Sequence, residues 1–230
     1  MRSIIVPALL ALAVWGCRAG VPAASSALPY YDSQELTPRW SPVAHRIADF
    51  ALTTQTGGTI DATSLRGKIH VASFVYTRCS VLCPMVVREL GTVAKAVAGM
   101  PDVVLVSYSV TPDVDTPASL AEYGRERGVD PRRWLLVTGD QRTIWRLARD
   151  SYFADDRRTL AGHPTPGEAF LHTEKVLLVD RDLHVRGVYN GTAAFDLERL
   201  VADVRLLAAG STSRRREIEP RAPRAGAGAT

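Results

Sequence analysis

Cysteine is scarce in this chain, three residues in 230. So few exclude a disulfide-stapled scaffold, and a chain this long can bury a core without staples. The apolar run at the N-terminus, residues 4–15, falls well short of the roughly 20 residues that span a bilayer. No internal repeat is present, which sets aside solenoids and propellers. An excess of one charge is missing from the body of the chain. The net charge of +4 sits at Arg2 and in residues 211–230, which hold five arginines and two glutamates, while residues 17–210 hold 22 basic and 22 acidic residues. A balanced body has no electrostatic footprint for nucleic acid, so that class of partner is excluded.

What is present begins with an address. Arg2 followed by a short apolar run has the pattern of a signal peptide, assigned to residues 1–16. The run ends Val14-Trp15-Gly16-Cys17, which resembles the bacterial lipobox and makes Cys17 the candidate for lipidation. The alternative is ordinary secretory cleavage between residues 19 and 24, which discards Cys17. Either way the chain is exported, with its remaining thiols in an oxidising compartment, and lipidation would hold it on the periplasmic side of a bacterial membrane. Residues 17–44, rich in Ala, Pro and Ser without apolar period, are expected as the lipid-anchor cysteine and a flexible linker.

Residues 45–210 carry the periodicities of one α/β domain. Two short runs around Gly57-Gly58 predict a β-hairpin. Residues 69–76 and 103–110 are apolar and β-branched enough for strands covered on both faces. Between them Val86, Leu90, Val93 and Val97 form one helical stripe, closed at Gly99. A helix from Thr116 to Arg127, a strand at 134–137 and a helix capped by Asp140 follow. Residues 153–169 read as an irregular loop, and 174–180 with 184–189 as a hairpin turning at Arg181-Asp182. A helix over 195–209 buries Leu197, Leu200, Val201, Val204 and Leu207, and residues 211–230 are expected to be a disordered basic tail. This order predicts an α/β, thioredoxin-like fold with an N-terminal β-hairpin extension.

Chemistry concentrates at Cys79 and Cys83, which lie between the first central strand and its helix. The helix N-terminus, with unpaired amides and a positive dipole end, favours thiolate there. A structural disulfide across four positions would close a loop too small to stabilise the fold much. Disulfide exchange prefers two intervening residues, and three place both sulfurs on one helical face, so spacing alone leaves exchange and soft-metal binding both open. Among five histidines, His45, His70, His163 and His184 read as packing or surface residues. His172 stands just before a strand returning toward the thiols and is the candidate third ligand. Two thiolates with one imidazole suit cuprous copper and fall short of structural zinc. Met85 is a spare soft donor or a core residue.

Several stretches in sequence order resemble the Sco/SenC family of copper-binding, thioredoxin-fold proteins. They are Leu65-Arg-Gly-Lys68, Phe74-Val-Tyr-Thr-Arg-Cys-Ser-Val-Leu-Cys-Pro84, Val106-Ser-Tyr-Ser-Val-Thr-Pro112 with Asp115-Thr-Pro117, Leu136-Val-Thr-Gly139, and His172 ahead of Val176-Leu-Leu-Val-Asp180. The resemblance implies copper bound by Cys79, Cys83 and His172. It also implies delivery to, or thiol reduction at, the dinuclear copper centre of cytochrome c oxidase or another cuproprotein. Without metal, the same Cys79 and Cys83 would serve as the attacking and resolving thiols of a thiol–disulfide oxidoreductase. Three positions depart from the family: Ser80-Val-Leu82 holds no Asp, Thr111 precedes Pro112, and Leu171 precedes the histidine. The implied ligands stay, while carboxylates around them are lost.

Overall fold

The computed structural model describes residues 28–79, 82–154 and 173–218, the last eight of these as backbone only. Its centre is a pair of strands, β3 (Ile69–Val75) and β4 (Val103–Ser109), in which all fourteen residues are buried. They run parallel in register from Ile69 opposite Val103 to Val75 opposite Ser109. β5 (Trp134–Thr138) continues the parallel set beside β4. The hairpin β1 (Ala51–Thr54) and β2 (Thr59–Asp61) extends that edge antiparallel to β5. On the other side β3 pairs antiparallel with β6 (Lys175–Val179), which pairs with β7 (Val185–Asn190). The seven strands therefore run β2-β1-β5-β4-β3-β6-β7, the expected thioredoxin-like sheet with its added hairpin.

Alternation along the strands sorts side chains into two cores. Val71, Val75, Leu105 and Leu178 face one side with α2 (Leu82–Ala96), α3 (Pro117–Glu126) and α5 (Ala194–Ile218), which contribute Val86, Leu90, Val93, Leu120, Leu200 and Val204. Ala72, Phe74, Val106, Tyr108 and Leu177 face the other, against α1 (Ala62–Leu65) and α4 (Gln141–Arg146) with its following π-turn (Leu147–Ser151). The expected caps are in place: Thr116 accepts from Ser119 N–H with Pro117 in the first turn, and Asp140 accepts from Thr143 N–H.

Four expectations change. The β6–β7 turn spans three residues, 181–183, because Leu183 adopts φ 68° while its side chain is buried in the core. Asp180 Oδ1 fixes that turn by accepting from the N–H groups of Asp182 and His184. The helix after Asp140 ends in a π-turn at Leu147–Ser151, which sends Tyr152 into the core. α5 does not stop at Gly210; it continues to Ile218 through a run of arginines, which are good helix formers. And within the stretch taken as linker, Tyr30 bridges to Arg39 inside the segment itself, while residues 28–31 lie on the sheet, where Tyr31 bridges to Val185. Arg186 carries this contact. Its guanidinium donates to Pro29 O (2.9 Å) and Leu28 O (2.5 Å), lies 3.8 Å from the Tyr30 ring centroid, and pairs with Asp180 at 2.8 Å. Residues 155–172 and 219–230, which hold most of the irregular loop and the end of the tail, lie outside the described residues.

Candidate metal centre

The centre forms where β3 ends. Val110 N–H donates to Val75 O and stops the ladder there, and Cys79 N–H donates back to Tyr76 O at 3.1 Å to close a turn. α2 opens at Leu82, so Cys83 and Pro84 occupy its first turn, where amides have no intrahelical partner and proline loses nothing. One of these amides goes to sulfur, Cys83 N–H donating to Cys79 Sγ at 3.5 Å, and from the end of β3 Tyr76 N–H donates to Cys83 Sγ at 3.4 Å. Neither cysteine is in a disulfide; Cys79 is half-buried and Cys83 only 6% exposed.

The electrostatics divide the pair. Burial pushes the Cys83 thiol up to about 11, and the neighbouring Cys79 adds to the rise against a smaller lowering by Tyr76 N–H. The expectation that the helix terminus favours thiolate therefore fails at Cys83, because desolvation of a buried sulfur outweighs the amides. At neutral pH Cys83 holds its proton until a partner for sulfur replaces it. Arg78, the residue before Cys79, is exposed, and it is not among the groups that move the Cys83 thiol.

Beneath the turn lies a carboxylate that sequence reasoning noted only as part of a matching stretch. Asp115 is 2% exposed and accepts from three hydroxyls: Thr77 (2.5 Å), Ser109 (2.5 Å) and Thr111 (3.1 Å). Thr77 stands two residues before Cys79, so Asp115 pins the cysteine turn to the exit of β4. Thr111, where the family resemblance expects Asp, is one of the donors. Tyr123 of α3 completes the floor. It is buried, with the Arg127 guanidinium 3.7 Å from its ring centroid, and its hydroxyl has no hydrogen-bond partner among the described residues. Burial raises its pKa to about 12, with Cys83, Asp115 and Cys79 adding to the rise and Arg127 opposing it.

Of the anticipated site residues, the fold brings Cys79 and Cys83 together. His172, His163 and Cys17 lie outside the described residues. The other histidines are placed by packing. His45 contacts Ser151 O at 2.9 Å, His70 is fully buried against the Tyr152 hydroxyl at 3.1 Å, and His184 meets Tyr30 edge-on at 5.4 Å. Met85 is 39% exposed, so it is not the core residue that a first-turn methionine suggested. Among the described residues no His, Cys, Asp or Glu set of three or more closes around a metal. Two adjacent soft sulfurs, one half-exposed, fit a soft monovalent cation or a second sulfur and offer nothing to a hard one.

A thioredoxin-like domain with a dithiol at the mouth of its first central helix defines the class, and comparison with known proteins gives the family. The SCO1/SenC family model matches residues 40–209, and the chain belongs to that family. A SCO1 protein homolog of Bacillus subtilis (strain 168) is 25% identical over 166 residues, 71% of this chain and 83% of that protein. A SCO1/SenC family lipoprotein from Bacillus anthracis str. Ames has a solved structure that superposes with a TM-score of 0.63 at 26% identity, covering 74% of this chain and 98% of that one. Bradyrhizobium japonicum ScoI, solved with copper bound, superposes with a TM-score of 0.56 at 27% identity, covering 71% and 99%.

Proposed function

We propose that this chain is a copper-binding assembly factor that carries cuprous ion on Cys79, Cys83 and His172 and hands it to a partner cuproprotein, the copper-bearing subunit of cytochrome c oxidase being the family's implied client. The observation that carries this reading is a pair of thiols at the mouth of α2, linked by Cys83 N–H to Cys79 Sγ and not by a disulfide, one of them half-exposed. Family membership and the copper-bound ScoI support it. His172 is the neutral nitrogen ligand in this reading. Copper is cargo: it replaces the thiol protons, and the open side at Cys79 lets a partner's sulfur enter before Cys83 lets go. We further propose that lipidated Cys17 holds the domain on the periplasmic side of a bacterial membrane; among the described residues no helix is long and apolar enough to cross one.

The test is titration of the reduced protein with cuprous ion against a competing chelator. One ion per chain is expected, with His172→Ala weakening it by at least about tenfold, as loss of a ligand does. Equal affinity in that variant removes His172 from the site. Mass spectrometry of the mature N-terminus tests Cys17, which should carry acyl chains.

The asymmetry of the pair favours one second reading, thiol–disulfide exchange. Half-exposed Cys79 would attack a partner disulfide and release one partner thiol. Buried Cys83 would then attack the mixed disulfide and release the second, leaving Cys79–Cys83 oxidised by the two electrons the partner gained. Reduction that persists in His172→Ala and vanishes in Cys79→Ser identifies this route.

A further inference from the structure

One face beside the centre has a charge that the body of the chain lacks. α2 and the connection from α3 to β5 enclose a groove of about 790 Å3. Its walls carry Arg88, Lys95, Arg127, Arg132 and Arg133 against one acid, Asp130. A neighbouring hollow, lined by Pro84, Arg88, Glu126 and Arg127, continues it to the residue after Cys83. The two share Arg88 and Arg127, so a single cationic trough runs along α2 from Pro84, the residue after Cys83. Against residues 17–210, which balance 22 basic with 22 acidic residues, five cations to two acids, Asp130 and the Glu126 that pairs with Arg127, is a local concentration.

Two of the five are tied to the fold. Arg133 donates to Val97 O and Met100 O, and Arg127 stacks on Tyr123. The others point outward. The side chains of Arg88 and Arg132 are 72% and 86% exposed and pair with the nearby acids Glu89 and Asp130, contacts worth little in water and easily exchanged. Gly91, Thr92, Ala94 and Ala98 give the trough a shallow floor of small side chains.

We propose that this trough docks an extended acidic segment of the protein that exchanges copper or thiols with Cys79 and Cys83. The proposal rests on the function above and names its partner's chemistry. From Pro84 to Ala96 is about 18 Å of helix, the length of about five to six extended residues. A carboxylate on alternate residues of such a segment would meet Arg88, Lys95 and Arg132 in turn, and its next residues would arrive at the sulfurs. The trough is concave, so a flat layer of anionic headgroups would reach only its rim.

The probe is a fluorescein-labelled peptide with three Glu-Ser repeats and no cysteine, followed by anisotropy against the reduced full-length protein. Binding is expected at low salt and to weaken by about tenfold as the Debye length shrinks from 30 to 8 Å. Glutamine in place of glutamate should abolish it, and so should combined Arg88→Glu, Lys95→Glu and Arg132→Glu, all outside the metal site. A bromoacetyl group at the peptide's end should alkylate Cys79, losing bromide to form a thioether, about tenfold faster than on the glutamine peptide, as tethering raises local concentration. Equal binding of the glutamine peptide, survival of binding in the triple variant, or binding only to phosphatidylglycerol vesicles would each overturn the proposal. Cuprous affinity is read separately and should not change in the triple variant, so a failed copper titration and a failed docking assay remain distinct results.

Discussion

Asp115 holds its place by accepting from three hydroxyls, two of them on the strand exit and one on the cysteine turn. Replacing it by alanine would orphan Thr77, Ser109 and Thr111 together, at about 1 kcal/mol or more for each buried group. Asp115→Ala should therefore lower the urea midpoint by the equivalent of about 2–4 kcal/mol. It should also weaken cuprous binding, since Thr77 would no longer fix the approach of Cys79 to Cys83. Copper affinity that falls no further than stability alone dictates would limit Asp115 to a structural role. Nothing in the sequence pointed to this arrangement: the partners lie 4, 6 and 38 positions away, and no period links them. Cys79 and Cys83 were legible because strand, thiols and helix are contiguous. The high pKa of Cys83 was not, because burial depends on packing from distant elements, whereas the helix terminus is visible in the local sequence.

At the scale of elements, periodicity located every strand and the long helices, since apolar alternation and stripes are what the sheet and its two covering layers select. It failed where a single side chain decides. The three-residue turn before β7 depends on Leu183 accepting a left-handed conformation to stay in the core, and the seating of residues 28–31 depends on Arg186, more than 150 positions away. Arg186 and Asp180 form an almost fully buried pair, with side chains 9% and 11% exposed. Arg186→Met would strand the Asp180 carboxylate and two backbone carbonyls, a loss of about 3–5 kcal/mol. The expected result is a lower urea midpoint together with rapid proteolytic cutting near residues 28–40. Arg186→Lys keeps the charge but neither the stacking nor the fork, and should lie between the two. An Arg186→Met protein as resistant as wild type would mean that the N-terminal segment is held by other contacts.

Taken whole, the domain has a built-in acid sensitivity, and it lies far from the dithiol. His70 is buried at the start of β3, and desolvation holds its pKa down at about 3, with Asp180 opposing weakly. The native state keeps the ring neutral while the unfolded chain takes up a proton below the ordinary value of 6.5. Stability is therefore complete above pH 6.5 and declines as pH falls toward 3, by up to about 1.4 kcal/mol per unit. Between pH 6.5 and 4.5 wild type should lose about 2–3 kcal/mol more than His70→Leu in parallel urea titrations. Parallel slopes for the two proteins would show that His70 does not set the acid limit.

The seating of Leu28 on the sheet edge also fixes how far the domain can roam. A leash from Cys17 to residue 45 could reach about 100 Å when taut, whereas one ending at Leu28 reaches about 40 Å at most. For a protein fastened at Cys17, as proposed here, that is roughly the domain's own breadth. The dithiol mouth would patrol a thin layer next to the bilayer, where a membrane-embedded client presents its own metal site, and a soluble acceptor would have to come to the surface to be served.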